Sequence, residues 1–151
     1  PDCHFDLIGI NGGTFDTLPR NVEVHSSLNR LDYERLLSRA DAGIGSLALH
    51  RLGLTEACPL KTREYLAYGL PVIIGYKDSD FPSGAPFVLQ LDTRHRVRPP
   101  HVEAGYSFLH HWNGRRVTRD MVHHLDIAHK EIQRIAFFEG VAGSWGKPRV
   151  S

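Results

Sequence analysis

Five short runs rich in apolar and β-forming residues punctuate the sequence: HFDLIGI (His4 to Ile10), VEVH (Val22 to His25), AGIGSLAL (Ala42 to Leu49), VIIG (Val72 to Gly75) and FVLQL (Phe87 to Leu91). Segments of helical character lie between them. Tyr33, Leu36, Leu37 and Ala40 fall at i, i+3, i+4 and i+7, the stripe of an amphipathic helix, with Asn29 or Asp32 placed to cap its start. A second helix is predicted from Pro59, because the missing N–H of proline costs nothing at a first helical position. Leu60, Leu66 and Ala67 fit that helix, Gly69 fits its C-terminal cap, and Pro71 blocks continuation. Thr118 would cap a long last helix carrying Met121, Leu125, Ala128, Ile132 and Ile135. Largely apolar strands alternating with helices need cover on both faces, which predicts an α/β fold: a doubly wound, Rossmann-like parallel sheet.

The first strand should end in a tight turn at Asn11-Gly12-Gly13. The proline-containing basic stretch RHRVRPPH (Arg94 to His101) reads as a loop, and the Gly- and Pro-rich tail after Gly140 as irregular. The 151 residues are expected to form one domain, with a Rossmann-like core over about residues 1–92 and a less regular segment over 93–151. The chain opens at Pro1 directly before a strand, as a piece of a longer or processed polypeptide would.

Charge narrows the function classes. With 18 basic and 17 acidic residues the net charge is +1, against the large basic excess of a nucleic-acid-binding domain. The 2 cysteines, Cys3 and Cys58, make neither a disulfide framework nor a CxxC metal motif, so free thiols in a reducing, cytoplasmic setting are expected. No apolar stretch approaches the ~20 residues of a membrane span.

The stretch TEACPLKTREYLAYGLPVI (Thr55 to Ile73) holds the chemistry. In open parallel sheets, ligands bind outside the carboxyl ends of the strands, where this loop and helix start should sit. A helix N-terminus offers unpaired amides and a positive dipole end that suit a phosphate. The amides of Cys58, Leu60 and Lys61 are the candidate donors, and the Lys61 ammonium would add charge. Glu56 precedes the helix, and Glu64 lies ~7 Å along its axis at the helical rise. Carboxylates repel phosphate but accept well from hydroxyl groups. Two acceptors flanking a phosphate-binding end therefore suit a diphosphate with sugar hydroxyls on either side, as in a nucleotide sugar. Taken alone, the Glu-x7-Glu spacing is weak, and solvated helix charges are its commoner meaning.

In context, the stretch resembles the donor-binding signature of family-four, GT-B-fold retaining glycosyltransferases. Glu56, Leu60, Lys61, Glu64, Tyr65, Ala67, Gly69, Pro71 and Val72 match a pattern of the form E-x-x-PLK-x-x-EY-x-A-x-G-x-PV. Upstream, LIG, Asn21-Val22 with His25, and LLSRADAGI are similar to that family's C-terminal domain, so the likeness spans roughly Phe5 to Ile74. The resemblance implies that Glu56 accepts from hydroxyls of the donor sugar, that Glu64 holds the ribose hydroxyls, and that the amides from Cys58 to Lys61 hold the diphosphate leaving group. Glu56 and Lys61 would be the catalytic pair, with Cys58, Leu60 and Glu64 completing the donor site. It further implies retention of configuration, no metal or other cofactor in the chemistry, and a role in surface-glycan or polysaccharide synthesis. The implied partners are a nucleotide-sugar donor, an N-terminal acceptor domain of the same polypeptide, and an acceptor glycan or lipid-linked sugar. The sequence departs from the family in lacking that N-terminal domain and the first strand and helix of the donor domain, which carry an Arg/Lys pair. It also has Ser26 where a glycine is usual. The isolated chain is therefore expected to be inactive by itself. A nucleotide-sugar epimerase on the same scaffold and a non-catalytic nucleotide-binding module are the alternatives. Release of free nucleoside diphosphate with sugar transfer would separate the first reading from the epimerase.

Other signals carry less. Asp78-Ser79-Asp80 is an Asp-x-Asp, a metal-binding motif of a different glycosyltransferase fold, but a polar turn is its commoner role. Gly140 to Lys147 misses the phosphate-loop spacing, and Pro148 stands where Ser or Thr is needed. His110-His111 and His123-His124 lack the i, i+4 spacing of a helical zinc site. His25 reads as a packed histidine, and the stripe from Met121 to Ile135 as core or interdomain packing. The basic stretch around Arg94 would suit peripheral contact with an anionic membrane, although a solvated loop is the default.

Overall fold

The computed structural model describes residues 3–10, 13, 15–94 and 97–145. The chain divides into two compact units, Pro1–Ala40 and Asp41–Ser151. The turn expected at Asn11-Gly12, residues His95 and Arg96 of the basic stretch, and the tail from Gly146 lie outside the described residues.

The first unit pairs strand β1 (Phe5–Ile8) in parallel with β2 (Val22–His25), Asp6 opposite Glu23 and Ile8 opposite His25. Helix α1 (Arg30–Arg39) follows. Asn29 is its cap: the side-chain oxygen accepts from the Asp32 amide at 3.0 Å. Leu37 is buried, and Tyr33 and Leu36 are half-buried on the same stripe.

The second unit contains a three-stranded parallel sheet in the order β3 (Gly43–Ile44), β5 (Val72–Ile74), β7 (Val88–Gln90). A second parallel pair joins β4 (Glu56–Ala57) to β6 (Lys77–Asp78). Helix α2 (Leu60–Ala67) lies between β4 and β5 in the chain. Pro59 takes the N-cap position, one residue earlier than expected. Gly69 closes the helix with φ +75°, and a Cβ there would meet the Val117 carbonyl at 3.2 Å. Val72 and Ile74 are fully buried in the central strand and pack with Leu66, Tyr76, Phe81, Phe87, Trp112 and Val117. Each such aliphatic side chain contributes ~1.5–3 kcal/mol. Trp112 donates its indole N–H to the Pro86 carbonyl at 3.1 Å, so its polar edge is satisfied within the core.

The named ladders among the described residues are all parallel, so the fold is α/β. The passage from β5 to β7 carries β6 and turns rather than a helix. Several expectations need correction. The run from Ala42 to Leu49 yields only the two residues of β3 and then a 3-10 turn at Leu49–Leu52. Leu60 belongs to α2 as expected, with its side chain 85% exposed. The basic stretch is not a loop throughout, because Pro99 and Pro100 begin helix α3 (Pro99–Trp112). Prolines at the first two helical positions lack only N–H groups that have no intrahelical partner. The single long last helix is interrupted. Residues Arg119–Leu125 form a 3-10 segment, and α4 (Ile127–Trp145) starts anew after Asp126, whose carboxylate accepts from the Ala128 amide at 3.3 Å. The chain is helical, not irregular, from Gly140 to Trp145. Met121, Val122 and Leu125 pack on the core, whereas Ile132 and Ile135 are exposed.

Candidate functional site

The pairing of β4 with β6 organises the region around the α2 start. Glu56 stands opposite Lys77 and Ala57 opposite Asp78. Side chains alternate along a strand, so the two pairs point to opposite sides. On one side, the Glu56 carboxylate lies 3.7 Å from the Lys77 ammonium at the solvent surface. On the other, Asp78 is buried and meets Arg63, which α2 presents one turn after its start.

Glu56 and Lys77 line a cleft of about 310 Å³. It lies beyond the carboxyl ends of β5 and β7, and His50, Gln90, Asp92 and Arg94 also line it. Arg94 grips Asp92, with Nε donating to Oδ1 at 2.9 Å and Nη2 to Oδ2 at 2.7 Å. The Asp92 carboxylate thereby holds the Arg94 guanidinium above its ordinary range. His50 Nδ1 is buried and has no hydrogen-bond partner among the described residues. The volume is at the small end for ligand clefts. A wall of two ion pairs presents donors and acceptors side by side, which suits a hydroxyl-rich ligand of monosaccharide size.

The predicted site residues separate into groups. Glu56 is at the cleft. Cys58 is not: its thiol donates to Asp80 Oδ2 at 3.3 Å and accepts from Arg63 Nη2 at 3.1 Å. Leu60, Lys61 and Glu64 are exposed on α2 and line no part of this cleft. The amides of Leu60 and Lys61 fall in the first turn of α2, where no intrahelical acceptor exists.

The Asp-x-Asp segment is the expected polar turn at Ser79 and Asp80, where the Asp80 amide donates to Asp78 Oδ1 at 3.0 Å, but it does more than turn the chain. Asp78 belongs to β6, and its carboxylate receives both terminal nitrogens of Arg63. Asp80 receives Arg63 Nη2 and Lys130 Nζ, each at 2.8 Å, so α4 is tied to the loop after β6. Burial acts to lower the Arg63 pKa, but the hydrogen bonds and charge of Asp78, aided by Cys58, outweigh it and hold the guanidinium above its usual range. Burial likewise acts to raise the Asp80 pKa; Lys130, Cys58 and Arg63 overcome it, and the carboxyl is held below the usual carboxylate range. The sequence reading singled out Asp78 and Asp80 as an Asp-x-Asp, but their partners Arg63 and Lys130 escaped it. The legible signal was the acidic Asp78 two positions after the buried run VIIGY, where a charge needs a partner. His124 packs edge-on against Phe81, ring centres 5.2 Å apart, a packing role rather than a metal-binding one.

No family model, curated protein or solved structure matches this chain. No helix among the described residues is long and apolar enough to cross a membrane.

Proposed function

We propose that the chain is the donor-binding domain of a GT-B-fold, family-four retaining glycosyltransferase, which transfers a sugar from a nucleotide sugar to an acceptor in surface-glycan or polysaccharide synthesis. The observation that carries this reading is the position of Glu56. It stands at a small polar cleft beyond the carboxyl ends of parallel strands, three residues before the residue that caps α2. In the proposed complex the sugar occupies the cleft, and its hydroxyls donate to Glu56. The diphosphate lies toward the first turn of α2, where the Leu60 and Lys61 amides and the Lys61 ammonium oppose its charge. Glu64, one turn further on, accepts from the ribose. Stabilising negative charge as it develops on the leaving diphosphate is the main electrostatic contribution such a site can make. The proposed chemistry uses no metal. The acceptor and its domain would complete the enzyme.

Calorimetry of the chain against UDP, GDP, ADP and their sugars, repeated with Glu64→Ala, tests the reading. One nucleotide should bind, and the substitution should cost ~1–3 kcal/mol, the worth of a charge-assisted hydrogen bond. Equal affinity of the two proteins for every ligand would remove Glu64 from the site.

A further inference from the structure

The β1–β2 ladder carries a side-chain cluster that the proposed donor site does not use. Parallel pairing sets Asp6 beside Glu23, and strand alternation puts His4 on the face of Asp6 and His25 on the face of Glu23. One face therefore bears four metal-ligating residue types in a row. One ligand atom each from His4, Asp6 and Glu23 lies within 4.8 Å of the others. His4 Nε2 is 3.9 Å from Asp6 Oδ1 and 3.7 Å from Glu23 Oε2. His25 Nε2 is hydrogen-bonded to the same Asp6 oxygen at 2.8 Å.

We propose that His4, Asp6 and Glu23 bind a divalent transition ion of zinc character, with His25 as the positioning residue that orients Asp6. Bonds of ~2.0–2.2 Å to nitrogen and oxygen place neighbouring tetrahedral ligands about 3.4 Å apart. The two separations from His4 need to close by only a few tenths of an ångström, and the Asp6 and Glu23 oxygens, within 4.8 Å of each other, close with them. An imidazole with two carboxylates suits zinc better than magnesium, which prefers an all-oxygen shell. Two carboxylates directly opposite on paired strands repel each other, and a dication between them converts that repulsion into attraction. His25 supplies the outer hydrogen bond that ligating carboxylates characteristically receive. The cluster is open to solvent, which gives the ion an entry path and leaves the fourth position to water. The inference stands independently of the proposed glycosyl transfer.

Titration of the whole chain with zinc chloride, in the presence of excess magnesium chloride, tests the site. The reference is the His4→Ala, Glu23→Gln double variant, which keeps both cysteines and the other histidines. Wild type should take up one more equivalent of zinc than the variant. His25→Ala should keep that equivalent but bind it ~10–100-fold more weakly, as loss of an outer-shell partner does. If the double variant does not fold, imidazole nitrogen resonances of wild type decide, and the His4 Nε2 signal should shift with the first equivalent. Equal zinc uptake by the two proteins, or a His4 signal unmoved by millimolar zinc, overturns the proposal.

Discussion

The Arg63 guanidinium donates through both terminal nitrogens to the Asp78 carboxylate, Nη1 at 2.9 Å, joining the second turn of α2 to strand β6. The Asp78 side chain is 1% exposed and the Arg63 side chain 16%. A pair this buried costs much more to break than to replace, because removing one partner strands the other charge. Arg63→Met or Asp78→Asn alone should lower unfolding free energy by ~3–5 kcal/mol. The double replacement Arg63→Met with Asp78→Val should cost less than the sum of its parts. Urea denaturation of the three variants measures this, and strict additivity would mean that the two residues act separately.

That pair also marks where the sequence could and could not be read. Strand β5 and the Gly69 cap were legible because a wholly buried strand and a left-handed cap leave short-range signatures, and β7 was legible from the short apolar run FVLQL. So was α1, whose stripe and Asn29 cap agree. The burial of Asp78 was not legible, since it depends on a cation fifteen positions away on another element. Helix α3 was hidden because Pro99 and Pro100 look like loop residues unless the helix is known to start at them. The break at Asp126 was hidden because Met121, Leu125 and Ile132 keep helical spacing across it. The carboxylate that ends one segment caps the next. At the candidate site, Glu56 was found through its motif, whereas Gln90 and Arg94 reach the cleft only through the β5–β7 pairing.

The ion pair of Asp80 with Lys130 makes stability depend on acid. Its folded-state pKa lies below the ordinary value of ~3.9, so the unfolded chain binds the proton more readily. The stabilisation is then complete above ~pH 3.9 and is lost as pH falls through the lowered folded value. Denaturation free energies from pH 6 to pH 2.5 should show wild type above Asp80→Asn at the high end, with the gap closing toward the low end. A gap constant across that range would remove Asp80 from the acid limb.

Gly75 follows β5, borders the cleft, and leaves no space for a side chain. A Cβ at this position would come within 2.7 Å of Leu47 Cα, the Leu47 carbonyl oxygen and Thr93 Oγ1. Two of those atoms are backbone, so the crowding cannot be relieved by a rotamer change. Gly75→Ala should cost ~1–3 kcal/mol, the range for overpacking, and lower the midpoint of thermal unfolding. Gly114→Ala provides a contrast, because a Cβ there meets nothing within 4 Å and only its φ of +67° opposes the change. A smaller loss at Gly75 than at Gly114 would show that the β5 end can move aside.

Glu56 and Glu64 should separate the two halves of a nucleotide sugar. Glu56 lines the cleft, so its proposed partners are hydroxyls of the transferred sugar alone. Glu64 lies on α2, away from the cleft lining, and its proposed partner is the ribose that the sugar donor and the free nucleotide share. Glu56→Gln should therefore weaken binding of the nucleotide sugar while leaving the nucleoside diphosphate unchanged. Glu64→Ala should weaken both equally. Lys77 lies 3.7 Å from Glu56, so Lys77→Met frees that carboxylate to accept from the ligand without removing it. Its effect should be smaller than that of Glu56→Gln and confined to the nucleotide sugar. Calorimetry of the three variants against one diphosphate and its sugar gives six affinities that fix the pattern. If Glu56→Gln weakened the free diphosphate as much as the sugar donor, the cleft would hold the nucleotide instead, and the proposed direction of the ligand across α2 would have to be reversed.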